Sequence, residues 1–206
     1  MSGRFITFEG GEGAGKSTQI PILADYLKSR GQTVIQTREP GGVGNAERVR
    51  ELLLDPEADN WDGITEVLLH YAARREHVEK LIRPALKRGD WVLCDRFADS
   101  TMAYQGFGSG IDPGLIRKIH RLTLGEFQPD LTIIFDLPVD IGMSRAEARG
   151  AADRYELMGK SFHEKLRKGF LNISRDEPDR CMVIDATQAI DDVANEIRAV
   201  IKTRFE

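Results

Sequence analysis

Cysteine is almost missing from this chain of 206 residues: Cys94 and Cys181 are the only two, each inside a short apolar run. That excludes a disulfide framework and points to a reducing compartment, the cytoplasm. Long hydrophobic runs are missing too. No segment approaches the roughly 18 apolar residues of a membrane span, and the first apolar run, Phe5 to Phe8, is too short for a signal-peptide core. A protein neither membrane-bound nor secreted is expected. Positive charge is not in excess either, with 29 Lys and Arg against 33 Asp and Glu, a net −4. This argues against coating nucleic acid or an anionic membrane, so an anionic ligand must be held by individually placed arginines. Internal repeats and low-complexity linkers are absent. What remains, 41% hydrophobic and 30% charged residues, suits one globular domain over residues 1–206.

Five short runs rich in β-branched and aromatic residues recur: Phe5–Phe8, Thr33–Thr37, Trp91–Cys94, Leu131–Phe135 and Cys181–Ile184. Several are nearly continuous hydrophobics, as strands buried on both faces must be. Helical spacing at i, i+3, i+4 and i+7 appears between and after them, at Ile20 to Leu27, Ile64 to Tyr71, Val78 to Ala85 and Ile190 to Ile197. Strand and helix in alternation predict a three-layer α/β/α fold around a five-stranded parallel sheet, with ligands beyond the carboxyl ends of the strands. Pro21 falls within the first helix and is expected to kink or delay it. The stretch from Arg145 to Met158, basic, Ala-rich and broken by Gly150, reads as a mobile flap or short lid covering approximately residues 142–158.

The first strand runs into Gly10, Gly11, Glu12, Gly13, Ala14, Gly15, Lys16 and Ser17, a complete G-x-x-x-x-G-K-[ST] between strand and helix. The glycines let successive backbone N–H groups converge on an anion at a helix N-terminus; Lys16 reaches the terminal phosphates and Ser17 can ligate Mg²⁺. Thr18 follows in the first helical turn. A bound nucleoside triphosphate is expected, but switches, motors and kinases share this loop. The N-K-x-D guanine motif occurs nowhere in the chain. Phosphoryl transfer from ATP to a small acceptor is the leading class, and an ATP-gated binding module remains the alternative.

The second strand ends in Arg38-Glu39-Pro40-Gly41-Gly42 and the third in Asp95-Arg96-Phe97. Two guanidiniums at the sheet edge can clamp a dianionic phosphate bidentately. Asp95 takes the place of the acid that holds Mg²⁺ through water.

These segments, with Phe8-Glu9-Gly10, Tyr71-Ala72-Ala73-Arg74, the run from Ser100 and Thr101 to Tyr104, Gln105 and Gly106, and Asp185-Ala186-Thr187, resemble the thymidylate kinase family of the bacterial type from end to end. The resemblance implies that the chain phosphorylates dTMP to dTDP with ATP and Mg²⁺ on the route to dTTP, and that it forms a homodimer through long helices such as the one holding Ile64 to Ala85. It puts Arg38 and Arg96 on the dTMP phosphate and Glu12 on the deoxyribose hydroxyl. Arg74 would read a thymine carbonyl, Thr101 the imide edge, and Tyr104 would pack where a ribose 2′-hydroxyl needs room. Pro40, Ser100 and Gln105 complete the acceptor pocket.

The family carries Phe four residues before that arginine, stacked on thymine, where this chain has His70. The imidazole either stacks with less area or sits half-exposed without touching the ligand. Some members also carry a catalytic arginine within the phosphate loop, where this chain has Gly13. The transition-state charge then falls to the flap, Arg149 first and Arg154 second, beside Lys16, Arg96 and Glu12.

Overall fold

The computed structural model describes residues 3–57, 61–148, 150 and 154–205. Five parallel strands, β1 (Arg4–Gly10), β2 (Val34–Arg38), β3 (Trp91–Asp95), β4 (Leu131–Asp136) and β5 (Cys181–Asp185), lie in the order β2-β3-β1-β4-β5. All five expected strands are present within about two residues of their expected ends. The order reverses between β1 and β4, so the carboxyl end of β1 faces the crevice where such sheets bind ligands.

Period-two alternation along β1 splits the core. Ile6 and Phe8 pack with Leu93 and Ile133 against α1 (Lys16–Ser29) and α9 (Ile190–Phe205). Phe5 packs with Val92 and Cys94 against α3 (Gly63–His77) and α6 (Pro113–Leu124). The remaining helices are α2 (Gly44–Leu54), α4 (Arg83–Arg88), the short α5 (Ala98–Thr101), α7 (Val139–Glu147) and α8 (Lys160–Asp176). Asp62 caps α3 by accepting from the N–H groups of Ile64 and Thr65.

One expectation needs correction. Helix α1 is continuous from Lys16 through Pro21 to Ser29, so the proline does not delay regular geometry by a turn; in the second turn it removes a single intrahelical bond. Ile64 and Leu68 are 45% and 51% exposed, while Val67 and Tyr71 on the same helix are buried. The spacings at 64–71 and 78–85 belong to one helical run, as expected for the helix holding Ile64 to Ala85: α3 continues through a π-helical turn at Val78–Ile82 into α4. In the flap, residues up to Glu147 belong to α7; Arg149 lies outside the described residues.

Behind the sheet a polar cluster joins β1, β4, α5 and the start of β5. Thr7 and Thr132 share a hydroxyl hydrogen bond at 2.8 Å, and the Arg180 guanidinium donates to both oxygens of Asp99 at 2.6 and 3.0 Å and to Thr132 Oγ1. Both charged side chains are about nine-tenths buried. Arg180 also donates to Glu177 at 2.9 Å, so removing Asp99 leaves its charge with one carboxylate in place of two, whereas removing both charges leaves none buried. Asp99→Ala is therefore expected to cost less than the roughly 3–5 kcal/mol of a fully stranded charge in urea unfolding, and the double variant Asp99→Ala/Arg180→Met to recover most of that loss.

Candidate active site

The phosphate loop leaves β1 at Gly10 and enters α1 at Lys16. Gly13 sits in the left-handed region at φ 67°, and a Cβ there would fall 2.2 Å from the carbonyl oxygen of Gly142 in α7. The loop can therefore carry no side chain at that position while α7 packs against it, a steric reason for the missing loop arginine. Lys16 is buried and donates to the carbonyls of Gly10 and Gly11 at 3.2 and 2.8 Å. Burial and the Arg96 charge pull its pKa down, while Asp95, Glu12 and Glu9 oppose them.

Arg96 is the one described non-glycine residue with positive φ, at 67°. That turn carries its side chain back across the head of β1, where it donates to Gly10 O at 2.9 Å, Ser100 Oγ at 3.3 Å and Glu12 Oε1 at 2.5 Å. Glu12 Oε1 also accepts from the Tyr104 hydroxyl at 2.5 Å. A cavity of about 560 Å³ is lined by the loop, Ser17, Thr18, Arg38, Asp95 and Arg96. Asp95 Oδ1 is buried in it without a protein partner, a free acceptor in the chamber that holds the Ser17 hydroxyl. Arg38 is half-exposed and pairs with Glu47 at 2.9 Å.

A second, narrower cavity of about 70 Å³ opens from Glu12 and Arg96 toward Pro40, His70, Arg74, Ser100, Thr101, Tyr104, Gln105 and Tyr155. Every residue expected on the acceptor side except Arg38 lines it. Arg74 is 2% exposed; it donates to Glu39 Oε2 at 2.6 Å, to Phe97 O and to Thr101 Oγ1, which leaves its Nη1 buried and without a partner. Gln105 donates through Nε2 to Glu66 at 2.6 Å, and its Oε1 is likewise buried and without a partner. Glu39 also holds His77 Nδ1 at 2.9 Å, and His77 Nε2 meets Thr37 Oγ1 at 2.8 Å.

Ser100 proves to be a support: its hydroxyl donates to Glu9 Oε2 at 2.5 Å. His70 is buried, contrary to the half-exposed alternative, and its Nε2 lies 3.0 Å from the Tyr155 hydroxyl. Burial, with the charges of Arg74 and Arg154, pushes its pKa down to about 3, so the ring is neutral. Arg154 pairs with Glu66 of α3, beside the narrow cavity and away from the phosphate loop. Its guanidinium is an anchor in this arrangement and does not meet the Lys16 chamber.

Four participants were not singled out from sequence: Arg50, Glu39, Glu66 and Tyr155. Arg50 lines both cavities and donates to Pro40 O at 2.8 Å. Arg145, which pairs with Arg149 at i, i+4 in the sequence as a candidate anion-binding face, reaches toward Gly13 O and Ala186 O in the larger cavity. Glu39, Glu66 and Tyr155 hold the narrow pocket together. Glu39 and Arg145 lie inside segments already marked by the R-E-P-G-G run and the flap, but nothing local signals Arg50 or Glu66.

Glu9 is buried beneath Arg96 and accepts from the Phe97 N–H at 2.7 Å as well as from Ser100. Burial and the neighbouring Asp99 push its pKa up to about 7 from 4.5; Ser100, Arg96 and Phe97 only partly oppose them. The folded chain then binds a proton that the unfolded chain releases between pH 4.5 and 7, so this group's contribution to stability falls as pH rises through that window. Glu9→Gln is expected to flatten that segment of the stability curve, measured by chemical denaturation from pH 4.5 to 8.

Comparison with known proteins gives a consistent result. The family model described as thymidylate kinase matches residues 8–197. The chain is 57% identical over 203 residues to a thymidylate kinase of Caulobacter vibrioides, covering 98% of both chains. It is 47% identical to that of Alcanivorax borkumensis, over 98% of this chain and 97% of the relative. A crystal structure of the thymidylate kinase from Ehrlichia chaffeensis superposes with a TM-score of 0.79 at 38% identity, over 98% of this chain and 99% of that one.

Proposed function

We propose a division of labour among these residues for a chain that belongs to the thymidylate kinase family and phosphorylates dTMP to dTDP with ATP. The observation that carries the base assignment is the pair of buried orphans in the narrow cavity, a donor at Arg74 Nη1 and an acceptor at Gln105 Oε1. An imide edge, one carbonyl beside one N–H, satisfies both; cytosine presents the reverse pattern and leaves both unmade, at a cost of about 1–3 kcal/mol for each. Thr101 already accepts from Arg74, so it supports the reader and leaves the imide proton to Gln105. Pro40 walls the pocket, and Tyr104, fixed on Glu12, closes the side where a ribose 2′-hydroxyl would project. Glu12 itself faces the sugar.

At the other end Gly10 to Thr18 cradle the triphosphate, with Lys16 transferred from the loop carbonyls to the terminal phosphates. Ser17 and Asp95 fit Mg²⁺, the first by its hydroxyl and the second through water, since Mg²⁺ favours one or two protein oxygens completed by phosphate and water. When bound, the ion offsets charge on the β- and γ-phosphates. Arg38 and Arg96 hold the acceptor phosphate in line. That phosphate is already ionised, so no general base is required, and the rate enhancement comes from positioning and charge stabilisation. With Gly13 sterically bound to stay bare, Arg149 supplies the cation to the transferred phosphoryl group. The protein works in the cytoplasm, without nucleic acid or membrane.

The exposed apolar side chains Leu52, Ile64, Leu68 and Leu122 lie on α2, α3 and α6, which pack side by side. A homodimer through these helices covers them, and sedimentation should show Leu68→Glu as a monomer.

A coupled ADP-release assay tests the reading. Strong stimulation by dTMP, weaker by dUMP, and none by UMP, dCMP or AMP is expected; equal rates with dUMP and UMP would remove the Tyr104 gate. Arg149→Ala is expected to lower kcat at least about tenfold with little change in the KM for dTMP.

A further inference from the structure

His70 stands where the family resemblance calls for a stacking phenylalanine, and the structure gives it a partner that phenylalanine could not have. The Tyr155 hydroxyl lies 2.9 Å from Glu66 Oε1, 3.0 Å from His70 Nε2 and 3.2 Å from Gln105 Nε2. Arg154 Nη2 also approaches it, at 3.3 Å, while pairing with Glu66. A phenol has one proton and two lone pairs; the Glu66 carboxylate can only accept, while Gln105 Nε2 and the arginine can only donate. The Tyr155 proton therefore goes to Glu66, and the His70 tautomer that fits is the one donating through Nε2–H to one lone pair, with Gln105 Nε2 and Arg154, at 3.2 and 3.3 Å, sharing the other. A neutral ring in that tautomer has a set plane toward the narrow cavity.

Tyr155 is separated from His70 by 85 positions and follows directly after Arg154. The bond thus ties the segment after α7 to the helix that carries the base reader Arg74, one turn further along. Tyr155 also meets the Tyr104 ring edge-on at 5.3 Å, next to Glu12. We propose that His70 is a positioning residue whose Nε2–H···O bond to Tyr155 seats residues 154–158 on α3, coupling the filling of the base pocket to the placement of that segment. The proposal rests on the phosphotransferase reading above, and deepens it by assigning the departure from phenylalanine a role other than weaker stacking.

Two functions of one ring can be separated by substitution. His70→Phe keeps an aromatic face and removes the donor; His70→Gln places an amide donor near the Nε2 position and removes the ring; Tyr155→Phe removes the acceptor with almost no change in shape, together with the hydroxyl's bonds to Glu66, Gln105 and Arg154, so His70→Phe is the selective variant of the two. Steady-state kinetics with dTMP should show His70→Phe and Tyr155→Phe each lowering kcat about three- to tenfold with the dTMP KM unchanged or lower. The double variant should be no slower than the worse single one. His70→Gln should keep kcat within about twofold while its KM rises. Amide hydrogen exchange in the nucleotide-free protein should quicken across 155–163 in His70→Phe and Tyr155→Phe but not in His70→Gln. The proposal is overturned if the two single effects on kcat multiply, if His70→Phe alters KM alone, or if exchange in that segment is unchanged. Failure of the wild-type chain to phosphorylate dTMP would instead overturn the activity, and the exchange measurement would still decide whether the latch exists.

Discussion

A single strained residue joins the donor and acceptor halves of the site. Arg96 occupies the left-handed region, which costs a side-chain-bearing residue about 1–3 kcal/mol. The surroundings over-determine it: its N–H donates to Phe8 O at 2.9 Å, its guanidinium to Gly10 O, and the next N–H, that of Phe97, to the Glu9 carboxylate. With ordinary extended geometry the chain would continue outward from β3 and the guanidinium would leave the head of β1. The turn places a cation where the phosphate loop begins, so the acceptor phosphate proposed for Arg96 would lie next to the triphosphate proposed for the loop. Ser100, one turn into the following helical segment, locks this arrangement by bridging Glu9 and Arg96.

The acidic composition has a structural counterpart here. Arg96 leans on Glu12, Arg74 on Glu39, Arg154 on Glu66, and each of these pairs is largely buried. Buried ion pairs are poor sources of net stability, because desolvating two charges offsets most of their attraction. Their value lies in orientation. A long guanidinium side chain free in a cleft would lose rotamer entropy when it bound a ligand; one already fixed by a carboxylate has lost it during folding. Arg74 illustrates the gain: Glu39, Phe97 and Thr101 immobilise the fork and leave one nitrogen unspent. Glu39 is fixed in turn by His77, which Thr37 holds from the far side.

What could be read from the sequence follows the range of the physics involved. The phosphate loop, the five strands and the arginines at strand ends are local patterns, set by backbone geometry within a few residues, and the fold retains them. Ile64 and Leu68 mark the limit of periodicity, which identifies an apolar stripe without saying whether its cover is the core or another surface. The steric reason for Gly13 needs α7 laid across the loop, which brings Gly142 against it from 129 positions away. The support of Arg74 needs the end of β2 packed against α3. His70 could be marked as a departure, but its partner could not be named, because no local rule connects it with Tyr155.

The two cavities are chemically one device. From the base end, His70 holds Tyr155, whose ring meets Tyr104; from the phosphate end, Arg96 lies over the Tyr104 ring at 5.0 Å and shares Glu12 with its hydroxyl. Tyr104 is thus touched by both halves, and Glu12 belongs at once to the phosphate loop and to the acceptor pocket. A shift of the base-side wall must move a ring packed under the phosphate clamp, and a shift of the clamp must alter the acceptor bonds of Glu12. Rigid, close-packed interiors transmit such displacements instead of absorbing them. An acceptor that fills only the phosphate end would leave the base-side wall unsupported. On the proposed assignment of base and phosphate to the two cavities, geometry at the reacting oxygen would then depend on the far end of the nucleotide, and binding energy released at the base could be used to align the phosphate.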